Sequence, residues 1–230
     1  MHTIVYINDF NYSQGGASKV AIDTANEMAK RGYNCYFFCP VYSKEKNELI
    51  DEVKIITTNQ DELQNGKLKN LKNGLWNRKV FKTLKKLLMN LDKEETIIHI
   101  HGWTKACSAS VFKVCLKLDF KVFLTMHEYF SFCPNGSLYN YKKNICCDYK
   151  PLSNKCILCN CDSRNYLIKI YRVFRQFIYK RNIKFKKIYI IFISKFEKQK
   201  FEKYLNIENL RYQVIKNPTK NEKFIISKDE

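Results

Sequence analysis

The first forty residues leave few options. Thr3–Ile7 is a short apolar run that breaks at Asn8-Asp9 and is followed by Gly15-Gly16. From Ser18, apolar residues recur with helical spacing at Val20, Ala21, Ala25, Met28 and Ala29. Lys30-Arg31-Gly32 closes that segment as a helix C-terminus closes, with cations in the last turn and glycine just beyond. A second apolar run, Cys35–Cys39, ends at Pro40. Strand, glycine turn, helix and strand make a βαβ unit, whose crossover sets the two strands parallel. A parallel sheet needs cover on both faces, so the rest of the chain has to supply helices.

The remaining sequence keeps the alternation. Val53–Thr57, Thr96–Ile100, Phe120–Met126, Ile188–Ile193 and Tyr212–Ile215 read as strands. Helical spacing covers Trp76–Leu91, Trp103–Leu118, Tyr166–Phe185 and, behind a Ser194 cap, Lys195 to about Leu205. The expected fold is α/β: a single Rossmann-like, doubly wound, mainly parallel sheet of about six or seven strands. One domain is expected over 1–218, with a cysteine-rich loop at 127–165 and an interdomain linker or loose tail at 219–230. No stretch of 18 apolar residues exists, so no membrane-spanning helix is expected. Met1–Asp9 reads as a first strand, not a signal peptide.

In wound sheets, ligands bind where strands end. Right-handed crossovers bring Gly15-Gly16, His101 and His127-Glu128 to one carboxyl rim, although they are far apart in the chain. Glycines before a helix serve either as a tight turn or as a cradle for a phosphate. Imidazole can act as a base or hydrogen-bond a substrate hydroxyl at neutral pH. Glu128 can orient His127 or contact ligand. His99 is read as structural, inside the sheet layers, and Phe174 and Phe177 as core.

Ten cysteines in a chain without an export signal suggest thiols or a metal site ahead of disulfides. Six of them fall between Cys133 and Cys161. Cys133, Cys147, Cys156 and Cys159 are the preferred quartet for a structural zinc, with Cys146 and Cys161 as substitutes. An iron–sulfur cluster would accept the same ligands without support from spacing, and unligated buried thiols remain an alternative. The formal charge of +19 favours polyanionic partners or an anionic membrane face without choosing between them. Basic, aromatic helices near 76–91 and 166–185 suit a lipid surface or an ordinary solvated one. No standard nucleic-acid motif is present, so no specific nucleic acid is expected.

Several stretches resemble one family. Gly15-Gly16-Ala17-Ser18-Lys19-Val20-Ala21 and Met28-Ala29-Lys30-Arg31-Gly32-Tyr33 are similar to the opening of glycosyltransferase family 4. The likeness continues through His99-Ile100-His101-Gly102-Trp103 and Thr125–Phe130. It then runs through Cys133-Pro134-Asn135-Gly136, Cys159–Tyr166, Phe192–Phe196 and Val214–Pro218. It implies the N-terminal half of a GT-B fold and a retaining, hexosyl-type transfer from a nucleotide-sugar donor, without a cofactor for catalysis. It also implies that this half serves the acceptor, a polysaccharide or lipid-linked glycan, at the cytoplasmic face of a bacterial membrane. On the matched positions, His127 and Glu128 would be catalytic, and Gly15, Gly16, His101 and Asn135 would bind substrate. The family pattern often has Asp where this chain has Glu128. The likeness stops just after Asn217-Pro218, where the family enters its donor-binding half. The expectation is therefore a truncated or split enzyme, inactive without that half. A non-catalytic, metal-stabilised module for a polyanion is the alternative.

Overall fold

The computed structural model describes residues 2–61, 68–205 and 207–218. The tail expected at 219–230 lies outside the described residues. Nine strands run in chain order among those residues: β1 Thr3–Ile7, β2 Asn34–Cys39, β3 Lys54–Thr57, β4 Thr96–Ile100, β5 Lys121–Met126, β6 Tyr139–Asn140, β7 Ile145–Cys146, β8 Ile188–Phe192 and β9 Arg211–Val214. The helices are α1 Gly16–Lys30, α2 Leu68–Leu75, α3 Arg78–Leu88, α4 Ser110–Lys117, α5 Asn154–Leu158, α6 Tyr166–Asn182 and α7 Lys195–Glu202.

Seven strands form one sheet in the order β3-β2-β1-β4-β5-β8-β9, and every pairing is parallel. The order reverses between β1 and β4, so a crevice opens at their carboxyl ends. Alternation along each strand divides the core. Val5, Ile7, Ile98, Ile100, Val122 and Leu124 join Val80, Leu84, Phe112 and Tyr179 of α3, α4 and α6 in one cluster. Ile4, Tyr6 and Phe37 cluster with Ala21, Ile22 and Ala25 of α1.

Two helices differ from the sequence expectation. The segment Trp76–Leu91 is helical over Arg78–Leu88, starting behind Asn77, whose side chain caps α3 by accepting Val80 N–H at 3.1 Å and donates to the Ala106 carbonyl at 2.9 Å. A further helix, α2, precedes it in a stretch read as polar and basic. The segment Trp103–Leu118 is helical only from Ser110. One Asp9 oxygen accepts the amide of Lys105 at 2.9 Å; the other accepts those of Ala106 and Cys107, each at 2.8 Å. This holds 105–107 against the end of β1, and Ser108 then takes a left-handed conformation (φ 68°) before α4 begins.

The outward face of α6 corrects another expectation. Phe174 is 60% and Phe177 45% exposed, as is Leu167 at 79%. The buried stripe of α6 is polar in part, with Lys169, Arg175 and Gln176 beside Val173 and Tyr179.

Asp9→Asn replaces one acceptor of that buried amide cluster with a donor. Leaving buried N–H groups unpaired should cost about 2 kcal/mol or more. Denaturant melts should show the midpoint falling at unchanged slope.

Candidate functional site

The crevice holds a cavity of about 300 Å³ lined by Gly15, Gly16, Ser18, Asp9, Lys105, His127 and Glu128, among others. The spatial convergence of the glycine turn with His127 and Glu128 is thus present. Ile193 and Asn217 complete the wall from the ends of β8 and β9.

Gly15 precedes α1 with φ 156°, and no side chain caps the helix. Its first turn has no acidic residue. The first amides therefore retain their donor capacity, and the positive end of the helix dipole faces the crevice. A Cβ on Gly15 or Gly16 would meet open space. Gly102 is different, because a Cβ there would overlap the Asn8 amide oxygen. Asn8 cannot easily yield, since its Nδ2 donates to the Phe10 carbonyl at 2.8 Å.

His101 does not line the cavity. It is buried behind His127, with its Nδ1 3.1 Å from His127 Nε2. His99 packs against it with the rings tilted, at 4.1 Å between centroids, and bonds to Thr125 Oγ1 at 2.8 Å. The three imidazoles form a column leading to the crevice. Burial pushes His127 down to about 4. Burial, helped by the charge of His127, pushes His99 to about 4 as well. His101 Nε2 has no hydrogen-bond partner. A buried orphan acceptor is commoner than a buried orphan N–H, which favours His101 Nδ1–H donating to His127 Nε2. That tautomer gives His127 an Nδ1–H for a ligand. His101 is a positioning residue, not a substrate contact.

Glu128 Oε1 accepts from Thr104 Oγ1 at 3.2 Å. Burial raises its carboxyl above the ordinary range. Asp9, Thr104 and Lys105 were absent from the sequence-derived site. The strand-end rule that selected His101 and His127 applies equally to Asn8-Asp9, and would have found Asp9.

Asn135 was expected to bind substrate but organises the cysteine-rich loop. Its Nδ2 donates to Tyr139 and Cys161 carbonyls at 2.8 and 3.2 Å, while its Oδ1 accepts from Ser137 N–H at 3.1 Å. The cysteines do not form the expected quartet. Among the described residues, no three of His, Cys, Asp and Glu stand together as metal ligands. The fully buried Lys169 instead places its ammonium 3.2 Å from Cys161 Sγ and 3.7 Å from Cys156 Sγ. Cys133 Sγ is spent on Asn135 Oδ1 at 3.0 Å. The ammonium thus packs against Cys156 of the expected quartet and Cys161 of its substitutes. A hollow of about 740 Å³ beside Asp148 and Lys203 is larger than the crevice. Asp148 and Lys203 there pair with each other at 2.6 Å.

A wound parallel sheet with a helix N-terminus, an imidazole and a carboxylate at its switch point defines a ligand-binding α/β domain of the Rossmann type. The chain belongs to glycosyltransferase family 4, whose model, Glycosyltransferase Family 4, matches residues 14–223. No curated protein matches it. Among solved structures it is similar to a UDP-glucosyltransferase from Polygonum tinctorium capable of glucosylating indoxyl, in complex with 3,4-dichloroaniline. The identity is 12% and the TM-score 0.50, over 95% of this chain and 52% of that one. It is also similar to TcCGT1 in complex with UDP, at 10% identity and TM-score 0.45, over 96% of this chain and 54% of that one. The chain thus spans about half the length of each of these structures.

His127 should remain neutral well below the ordinary histidine value of 6.5, its own lying at about 4. Its ring resonances, followed by NMR from pH 8 to about 5.5, should not titrate. A midpoint near the ordinary value would contradict the buried column.

Proposed function

We propose that this glycosyltransferase domain forms the acceptor side of a retaining enzyme that uses a nucleotide-sugar donor. The observation that carries the reading is the shared crevice, where the uncapped start of α1 faces His127 and Glu128. In transfer, the bond from the anomeric carbon to the donor diphosphate breaks and one to an acceptor oxygen forms. The α1 amides suit the departing diphosphate, which carries the released electron pair. Neutral His127 donates to a sugar oxygen, Glu128 orients the acceptor hydroxyl by accepting its hydrogen bond, and the hydroxyl's proton passes to the departing diphosphate oxygen as the new bond forms. A second, donor-binding domain faces this crevice and completes the site. Coverage of about half of a UDP-glucosyltransferase supports that division.

The proposed acceptor is a glycan on a lipid carrier at the inner membrane face. Among the described residues, no helix is long and apolar enough to cross a membrane. Support for surface attachment comes from α6, which exposes Leu167, Phe174 and Phe177 and carries Lys180 and Arg181 in its last turn.

Release of UDP from UDP-glucose in the presence of glycolipid acceptors tests the chemistry. The chain alone should be inactive and should gain activity with a family 4 donor domain supplied in trans. His127→Ala should lower that activity about 100-fold or more. Gly16→Val should abolish it at an unchanged melting temperature, since its side chain would enter only the crevice. Robust transfer by the chain alone would refute the division of labour. Phe174→Ser with Phe177→Ser should abolish flotation with anionic vesicles while preserving the fold. Undiminished flotation would remove α6 from the membrane contact.

A further inference from the structure

A second cavity of about 240 Å³ adjoins the crevice, with Thr104 and Lys105 lining both. Its wall carries Lys105, Arg164, Arg172 and Arg175, with Phe130 and Tyr171 between them. Four cations in so small a space repel one another unless something compensates them. Asp162, fully buried, compensates Arg172 at 2.8 Å. Arg175 is only 9% exposed, yet among the described residues no carboxylate forms an ion pair with it. Its Nη1 donates to the Thr104 carbonyl at 3.0 Å, a neutral acceptor. Asp9 and Glu128 lie within electrostatic reach, and burial together with the charge of Arg172 still holds Arg175 below its ordinary range.

The arrangement is built, not incidental. Arg172 and Arg175 lie 5.8 and 4.9 Å from the centroid of one ring, Phe130. That ring occupies its place because residue 136 is glycine. A Cβ there would lie 2.6 Å from Phe130, and the backbone has φ 78°. The sequence thus keeps two like charges a turn apart, on a shared aromatic face, beside the reaction crevice. A buried guanidinium with unspent donors suits a phosphate, whose oxygens match its planar fork. The volume lies below the roughly 300–1,000 Å³ usual for whole small-molecule ligands, so it suits a charged group and not an entire nucleotide sugar. Surplus charge from Lys105 and Arg175 favours a dianion or trianion over a carboxylate.

We propose that this pocket binds the phosphate or diphosphate ester of the acceptor, anchoring it while its sugar reaches the crevice past Thr104 and Lys105. Assignment of the anion to an acceptor rests on the transferase reading. Affinity for the anion does not, and titration without donor or second domain tests it separately.

The full chain is titrated calorimetrically with inorganic pyrophosphate and with farnesyl diphosphate below its micellar range. Both should bind saturably with one site. Arg175→Gln should weaken each by about tenfold or more. Lys105→Gln, at the rim, should weaken each by about threefold or more, and serves if Arg175→Gln fails to fold. Neutralising Lys82, Lys85 and Lys86 of α3 should change affinity by less than about twofold, since remote charges are screened at about 0.15 M salt. Tighter binding of the prenyl ester identifies a lipid-linked source, whereas equal affinities identify a soluble phosphate. Lack of saturable binding, or equal losses from the α3 substitutions, would overturn the pocket. Binding without any transfer in the reconstituted enzyme would retain the pocket and refute the transferase reading.

Discussion

The rim of this domain depends on one buried carboxylate. Asp9 receives three backbone amides from the loop after β4, tying residues 105–107 to the end of β1. Those two strands are the pair between which the sheet order reverses. The interaction therefore closes the switch point and sets Thr104 and Lys105 in both cavities. Burial raises the Asp9 carboxyl, and the three amides oppose that shift. Three charge-assisted bonds on one group explain how a carboxylate is tolerated where water cannot reach.

Neutrality elsewhere complements this charge. His99, His101 and His127 pack in sequence, and protonating one would disfavour the others. Such a column supplies direction more than proton-transfer power. It fixes which nitrogen of His127 faces a ligand and leaves the charge of the crevice to the α1 dipole, Lys105 and Glu128. Pairing a helix terminus with a neutral imidazole suits an anionic leaving group opposite an uncharged sugar hydroxyl.

Much of this was legible in residues alone. The βαβ opening, with its glycine turn and closing Lys-Arg-Gly, dictated parallel pairing, and later apolar runs extended the sheet. Strand ends marked His127 and Glu128 because wound sheets expose their carboxyl rim. The pattern could not locate the start of α3 at its Asn77 cap, because the Asn77 amide also binds the Ala106 carbonyl, or the late start of α4, because Asp9 captures amides almost a hundred residues away in the chain. Apolar spacing also misplaced Phe174 and Phe177, since periodicity finds a stripe without saying whether it faces core or solvent.

The cysteines and basic residues mark the same boundary. Spacing proposed a zinc quartet and the family resemblance assigned Asn135 to substrate, but local count says nothing about which side chains enter the cluster from α6. Lys169 enters the cluster from α6, Asn135 holds the loop around it, and Arg175 meets Phe130 from another element. The sequence by itself determined the parallel wound sheet, its rim and the family, because hydrophobic period and strand-end chemistry are local. Only the tertiary structure decided which imidazole reaches the crevice, what the thiols touch and where uncompensated charge is buried, because desolvation and pairing depend on neighbours remote in the chain.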